Sequence, residues 1–241
     1  MKKRYLLSAI ALTASTLLMP CVASAQDFPP KRPVTLFVGF APGGAADAAA
    51  RLIAKKLTEN IGQNVVVENK AGAGGGIGTE FVARAKADGY TLLLGTQTAL
   101  SVNPNLIKKL SYNVDKDFAP ITQLADTPLV LLASNKSGAK NVQELIGIIK
   151  SKPDAVSYGT SGMGTSQHLT TLMMLNRING KAVHVPYKGG GPVMTDLLGA
   201  QVDGSFMNIN TAMPQILAGK LRALSITSVK RSPLLPAVPS L

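Results

Sequence analysis

Val156-Ser-Tyr-Gly-Thr-Ser-Gly-Met-Gly-Thr-Ser-Gln-His168 decides how this chain is read. Residues 156–158 are extended in character, and from Thr165 towards Asn176 the apolar residues Leu169, Leu172, Met173 and Leu175 recur at helical spacing. Between them lies a turn of glycines and hydroxyls. A strand, a glycine turn and a helix start gather unpaired backbone N–H groups at the positive end of a helix dipole. Such a junction holds an anion without a lysine or arginine. A second stretch of the same kind, Val38-Gly-Phe-Ala-Pro-Gly-Gly-Ala-Ala-Asp47, lies much earlier in the chain. The two helix N-termini are expected to face each other across a cleft and to hold a small carboxylate.

Other chemistries fit these residues less well. A phosphate-binding loop needs G-x-x-x-x-G-K-[ST]; Gly159, Gly164 and Ser166 fall in place, but Thr165 stands where the lysine must be. A glycine turn could serve packing alone, yet Thr160, Ser161, Thr165 and Ser166 supply more donors than a turn requires. The glycines at 72, 74, 75, 76 and 78 do not satisfy G-x-G-x-x-G, because Ile77 or Thr79 falls at the last position, so a tight strand-to-helix turn is expected there. Asp47 in a first helical turn complements the dipole, and capping accounts for it; a ligand ammonium is the other reading. Nucleophilic catalysis finds little support. His168 follows Ser166 by two positions, which do not face each other on a helix, and Ser161 has Gly159 before it but Met163 after it, so no nucleophile elbow is present. His168 is a candidate for shaping the pocket, and a satisfied structural histidine is the equal alternative. His184, between Val183 and Val185, reads as structural. No His, Asp or Glu cluster has metal-ligand spacing, so neither metal nor cofactor is expected.

The N-terminus has the form of a secretory signal. Lys2, Lys3 and Arg4 are followed by an apolar run from Leu6 to Met19 and by Ala23-Ser24-Ala25, with cleavage expected after Ala25. Cys21 could mark a lipoprotein, but Pro20 is a poor match for that signal. Cys21, the only cysteine, leaves with the signal, which excludes disulfides and thiolate chemistry from the mature chain. An exported protein in the periplasm, expected to be a monomer, is the reading. The chain carries 25 basic and 13 acidic residues, and the balance is still +9 once Lys2, Lys3 and Arg4 are set aside. The basic residues are scattered and aromatic residues are only 5%, so a nucleic-acid surface is not expected.

Hydrophobic patterning gives a β-α series twice. Strands are expected at 34–38, 64–68 and 90–94, with helices after Gly44 (stripe Ala49, Leu52, Ile53, Leu57) and over 79–87. Residues 97–116 read as a loop with short helices, and 118–134 as an extended segment that crosses between domains. The second series places strands at 156–158, 182–185, 202–209 and 221–227. Its helices are marked by Val142 to Ile149, Leu169 to Leu175, Pro192 to Leu198 and Met213 to Ala218. Two β-α units joined by an extended segment predict two α/β lobes with a cleft between them. The boundaries are 1–25 for the signal, 26–122 for lobe 1 and 123–227 for lobe 2. Residues 228–241 are expected to begin a return to lobe 1, with hinges near 123–127 and 221–227.

Several further pieces complete a resemblance. They are Arg32 to Asp47, Val67-Glu-Asn-Lys-Ala-Gly-Ala-Gly-Gly-Gly-Ile-Gly78, Ala87-Asp-Gly-Tyr-Thr-Leu-Leu93, Tyr158 to Leu169, Val185-Pro-Tyr-Lys-Gly-Gly190 and Ala218-Gly-Lys-Leu-Arg-Ala-Leu224. In this order they resemble the receptor component of tripartite tricarboxylate transporters, the Bug-type extracytoplasmic solute receptors. The resemblance implies an α/β, two-lobed periplasmic binding-protein fold of type II character with mixed, mostly parallel sheets. It implies capture of a small carboxylate for membrane permease subunits. By the same resemblance the ligand is held by Phe40, Ala41, Gly43, Gly44 and Asp47 in one lobe. The other lobe supplies Ser161, Gly162, Gly164, Thr165, Ser166 and His168, and Gln97 and Asn208 line the surroundings. Family members run on past Leu241 with a tryptophan-containing segment, so this chain is expected to be a fragment lacking the C-terminal return. An exported serine hydrolase using Ser161 or Ser166 with His168, and a sensory binding protein, are the alternatives.

Overall fold

The computed structural model describes residues 32–241. The signal sequence, its cleavage after Ala25 and Cys21 lie outside the described residues. Two sheets organise the rest. The first has strand order β2-β1-β3, all parallel: β1 Val34–Val38, β2 Val65–Asn69 and β3 Thr91–Leu94. The second has order β6-β5-β7-β4-β8. It contains β4 Leu129–Ala133, β5 Ser157–Thr160, β6 Val183–Pro186, β7 Gly204–Asn208 and β8 Arg222–Ile226. Here β5 runs parallel to β6 and β7, while β4 is antiparallel to both β7 and β8. This is the α/β, mostly parallel architecture that the alternating series predicts.

In the first sheet, α1 (Ala45–Ile61) follows β1 and ends where Gly62 adopts the left-handed conformation and donates to the Thr58 carbonyl. Its buried face runs through Asp47, Ala50 and Ala54 rather than the expected stripe, and Leu52 is 63% exposed. The small alanines let the helix approach Leu36, Val38 and Phe40 closely. The next helix, α2 (Gly76–Ala83), starts within the glycine tract, three residues before the expected start. Residues 97–116 hold a wide helical turn at Thr98–Val102 and two one-turn helices, α3 (Asn103–Leu106) and α4 (Val114–Asp117).

The second sheet is covered on both faces. Along β4, alternate residues serve opposite cores, as the two-residue strand period requires. Val130 and Leu132 join Val193 and Leu197 of α7 (Gly190–Leu198) and Ile209 and Ala212 of α8 (Ile209–Leu217). Leu129, Leu131 and Ala133 join Leu145 and Ile149 of α5 (Val142–Ser151) and Leu175 of α6 (Ser166–Ile178). Helix α8 begins four residues before the expected Met213 and accommodates Pro214 internally.

One expectation about the crossings is corrected. Residues 118–128 form no helix or strand, which suits a connecting segment. Residues 222–226, by contrast, are a strand paired to β4 with Leu224 and Ile226 buried, so bending there would break sheet hydrogen bonds. Leu235 and Val238 enter the second core, and Ser240 bridges Ile226, because two apolar side chains find cover on that face. Among the described residues no helix is long and apolar enough to cross a membrane.

Candidate functional site

Both glycine loops lie at the carboxyl ends of parallel strands, where open α/β sheets bind ligands. The first, residues 39–44, connects β1 to α1. Asp47, 5% exposed, is its keystone. Its carboxylate accepts from the Gly43 amide at 3.1 Å, from Arg51 Nε and a guanidinium nitrogen at 3.0 Å each, and from Asn69 Nδ2 at 3.0 Å. Asn69 also donates to the Phe40 carbonyl at 2.9 Å, tying the end of β2 to the loop. Burial pushes the Asp47 carboxyl up, but hydrogen bonds from Arg51, Gly43 and Asn69, with the charge of Arg51, outweigh it and hold it below 3.8. Asp47 thus braces the loop, and its lone pairs are committed. The Phe40 ring packs in the core against Gly75. Past the brace, the amides of Ala45, Ala46 and Asp47 have no acceptor among the described residues.

The second loop, residues 160–165, connects β5 to α6. Thr165 is the N-cap: its hydroxyl accepts from the His168 amide at 3.4 Å and donates to the Gly162 carbonyl at 2.7 Å. Gln167 Oε1 accepts from the Ser161 amide at 3.0 Å, and Gly164 donates to His168 Nδ1 at 3.3 Å. Thr160, fully buried, sits 2.6 Å from His184 Nε2 and accepts from the Gly162 amide. His168 stacks on His184 at 4.2 Å, and His184 stacks on Tyr158 at 5.0 Å. Burial lowers the pKa of His168; burial and the neighbouring His168 lower that of His184 to about 4. Both rings are therefore neutral at pH 7. The amides of Ser166 and Gln167 have no acceptor among the described residues.

The two loops are linked through a third helix start, at residues 188–191, which touches both. The Ala41 amide donates to the Lys188 carbonyl at 2.9 Å. Gly191, at the head of α7, lies so close to the first loop that a Cβ there would stand 2.2 Å from the Pro42 carbonyl oxygen. Ser161 Oγ lies 3.6 Å from the Cβ position of Gly190. On the other side, a Cβ on Gly74 would stand 2.9 Å from the Met163 carbonyl oxygen. The glycine tract at 72–78, expected only as a tight turn, thus also forms a wall against the second loop. Three helix N-termini converge: α1, α6 and α7.

The remaining candidates lie at the margin. Gln97 is exposed at the entry to the Thr98–Val102 turn, and the Thr98 methyl flanks Gly74. Asn208 Nδ2 donates to Thr127 Oγ1 at 2.8 Å, which commits it to the connecting segment. The bracing side chains Asn69, Arg51, Gln167 and His184 were not singled out as site residues. A polar residue closing an otherwise apolar strand was the available signal for Asn69; nothing local marked Gln167.

The chain matches the family model described as the tripartite tricarboxylate transporter family receptor over residues 49–241. Among curated relatives, Protein BugT of Bordetella pertussis is 39% identical over 237 residues, covering 98% of this chain and 72% of BugT. Among solved structures, a Rhodopseudomonas palustris protein with adipate superimposes with a TM-score of 0.85 at 34% identity, covering 88% of this chain and 71% of that one. MatC from the same organism, with bound malate, gives 0.82 at 34% identity, over 88% of this chain and 72% of that one.

Proposed function

The chain belongs to the tripartite tricarboxylate transporter receptor family, and on that premise we propose that it captures a small carboxylate between its two sheets for delivery to membrane permease subunits. The observation that carries this reading is the convergence of three helix N-termini. The α1 and α6 first turns hold unpaired amides, and neither glycine loop contains Lys or Arg. Helix dipoles and backbone N–H groups then supply the attraction for a carboxylate. The relatives with adipate and malate point to a dicarboxylate as the first ligand class to try. The signal-like N-terminus and the family support work in the periplasm. Closure follows from contacts that one ligand makes with both loops, by bending of residues 118–128.

The hydrolase reading loses its base. His168 Nδ1 accepts from Gly164 and the ring stacks on His184, so the imidazole is a fixture of the loop rather than the partner of a serine. Calorimetric titration with malate, adipate, citrate and an aromatic acid tests the proposal. Binding of one or more of these acids, without turnover, is expected. A flat titration for the whole panel, with folded protein, would rule it out.

A further inference from the structure

We propose that His184 and His168 together position the second loop for carboxylate capture, His184 acting through Thr160 and His168 through Gly164, with the two neutral imidazoles stacked in opposite tautomers. The inference rests on the carboxylate-receptor reading for its consequence, but its geometry stands alone.

Proton accounting fixes the His168 tautomer, and that of His184 is assigned by the proposal. The Gly164 N–H donates to His168 Nδ1, so Nδ1 is bare and the neutral ring carries its proton on Nε2. Thr160 has one hydroxyl proton and two acceptors within reach: His184 Nε2 at 2.6 Å and the Gly162 carbonyl at 3.3 Å. The Gly162 carbonyl already accepts from Thr165 Oγ1 at 2.7 Å, so the Thr160 proton is assigned to His184 Nε2. His184 Nε2 is then bare and its proton sits on Nδ1. Thr160 Oγ1 is left free to accept the Gly162 amide. Each histidine thereby fixes one glycine amide, at 162 and 164. Both glycines have positive φ, 133° and 72°, so these turns need holding.

What the loop then offers outward is set by what it holds inward. With the Gly162 and Gly164 amides taken by the histidine pair and the Ser161 amide by Gln167, the amides left without an acceptor among the described residues are those of Met163, Ser166 and Gln167. The titratable groups that face the pair are each other and Tyr158 from β5, whose own pKa is raised by burial. All three are uncharged at neutral pH. The loop is thus braced without placing a charge behind its amides, and a carboxylate meets only dipoles.

The experiment pairs a spectrum with variants. Long-range proton–nitrogen correlation of the ligand-free protein at pH 7 should show His168 protonated on Nε2 and His184 on Nδ1. Two rings in the same tautomer would overturn the proposal, whether or not any variant folds. His184→Phe keeps the stack and removes the nitrogen; malate or adipate affinity, whichever binds wild type, should fall about tenfold, as for a lost buried hydrogen bond. His184→Gln, whose side-chain amide oxygen can accept the Thr160 hydroxyl at the Nε2 position, should recover most of that loss. Thr160→Val combined with His184→Phe should cost no more than the larger single change, since both act on one bond. Wild-type affinity in His184→Phe, or equal loss in the Gln and Phe variants, would refute it. If wild type binds none of the acids, the receptor reading fails, and the tautomer result still decides the loop geometry.

Discussion

The loop at residues 39–44 is held from behind by formal charges, and the loop at 160–165 by neutral groups. Asp47 meets Arg51, Asn69 and the Gly43 amide. In the second loop Gln167, His168 and His184 take the corresponding places. Both arrangements deliver close to zero net charge to the loop: Asp47 is cancelled by Arg51, and the imidazoles are uncharged at pH 7. That common outcome is informative. A carboxylate bound by dipoles needs amides whose field is not opposed by a bare acid or swamped by a mobile cation. The difference lies in acid. Asp47 keeps its charge further into acid than an ordinary carboxylate because hydrogen bonds from Arg51, Gly43 and Asn69 outweigh burial. Burial, and for His184 the neighbouring His168, keeps the imidazoles neutral in the folded protein, and withholding those protons costs stability as pH falls below 6.5.

The largest expected effect comes from forcing the loops apart. Gly191→Ala places a methyl against the Pro42 carbonyl, and overpacking of this kind costs roughly 1–3 kcal/mol, or about tenfold to a hundredfold in carboxylate affinity. Calorimetry should read that loss, and small-angle scattering should show a larger radius in the presence of ligand. Asp47→Ala comes next. It strips the first loop of its keystone and should lower stability by about 2 kcal/mol, read as a lower urea midpoint. Gln167→Leu leaves the buried Ser161 amide unpaired, and about 1–2 kcal/mol of affinity should go with little change in fold.

Acid should separate the two braces. His184 has a folded pKa of about 4 against an ordinary 6.5, so the unfolded chain binds more protons between those values. Its neutral state contributes stability that is complete above pH 6.5 and is lost as pH falls towards 4. Between pH 7 and 5 the melting temperature of wild type should therefore fall more than that of His184→Phe. The smallest effect is expected from Arg51→Ala. It leaves Asp47 uncancelled behind the first loop, but the side chain is 54% exposed and solvent screens the change, so carboxylate affinity should fall by only about twofold to threefold.

Much of this was legible from residues close together in sequence. The run Val34 to Val38 between Pro33 and Gly39 is a strand because its apolar residues have nowhere else to go. Gly62 ends α1 because only glycine takes the left-handed turn without strain. The two glycine loops stood out for the same local reason. What could not be read depends on partners distant along the chain. Asn69 braces Phe40 across 29 positions, and Gly74 meets Met163 only after both sheets have formed. The α1 face was misjudged because Leu52 fits helical spacing as well as Ala50 does; the tight packing of the first sheet selects the alanines. The packing of Leu235 and Val238 into the second core was not legible, because both are apolar in either setting.

Amide chemical-shift mapping during titration with malate or adipate tests the central claim most directly. The account predicts that the amides of 44–47 and 161–168 move together, with one binding isotherm, because one carboxylate engages both loops. Shifts confined to one loop, or centred away from both, would contradict it.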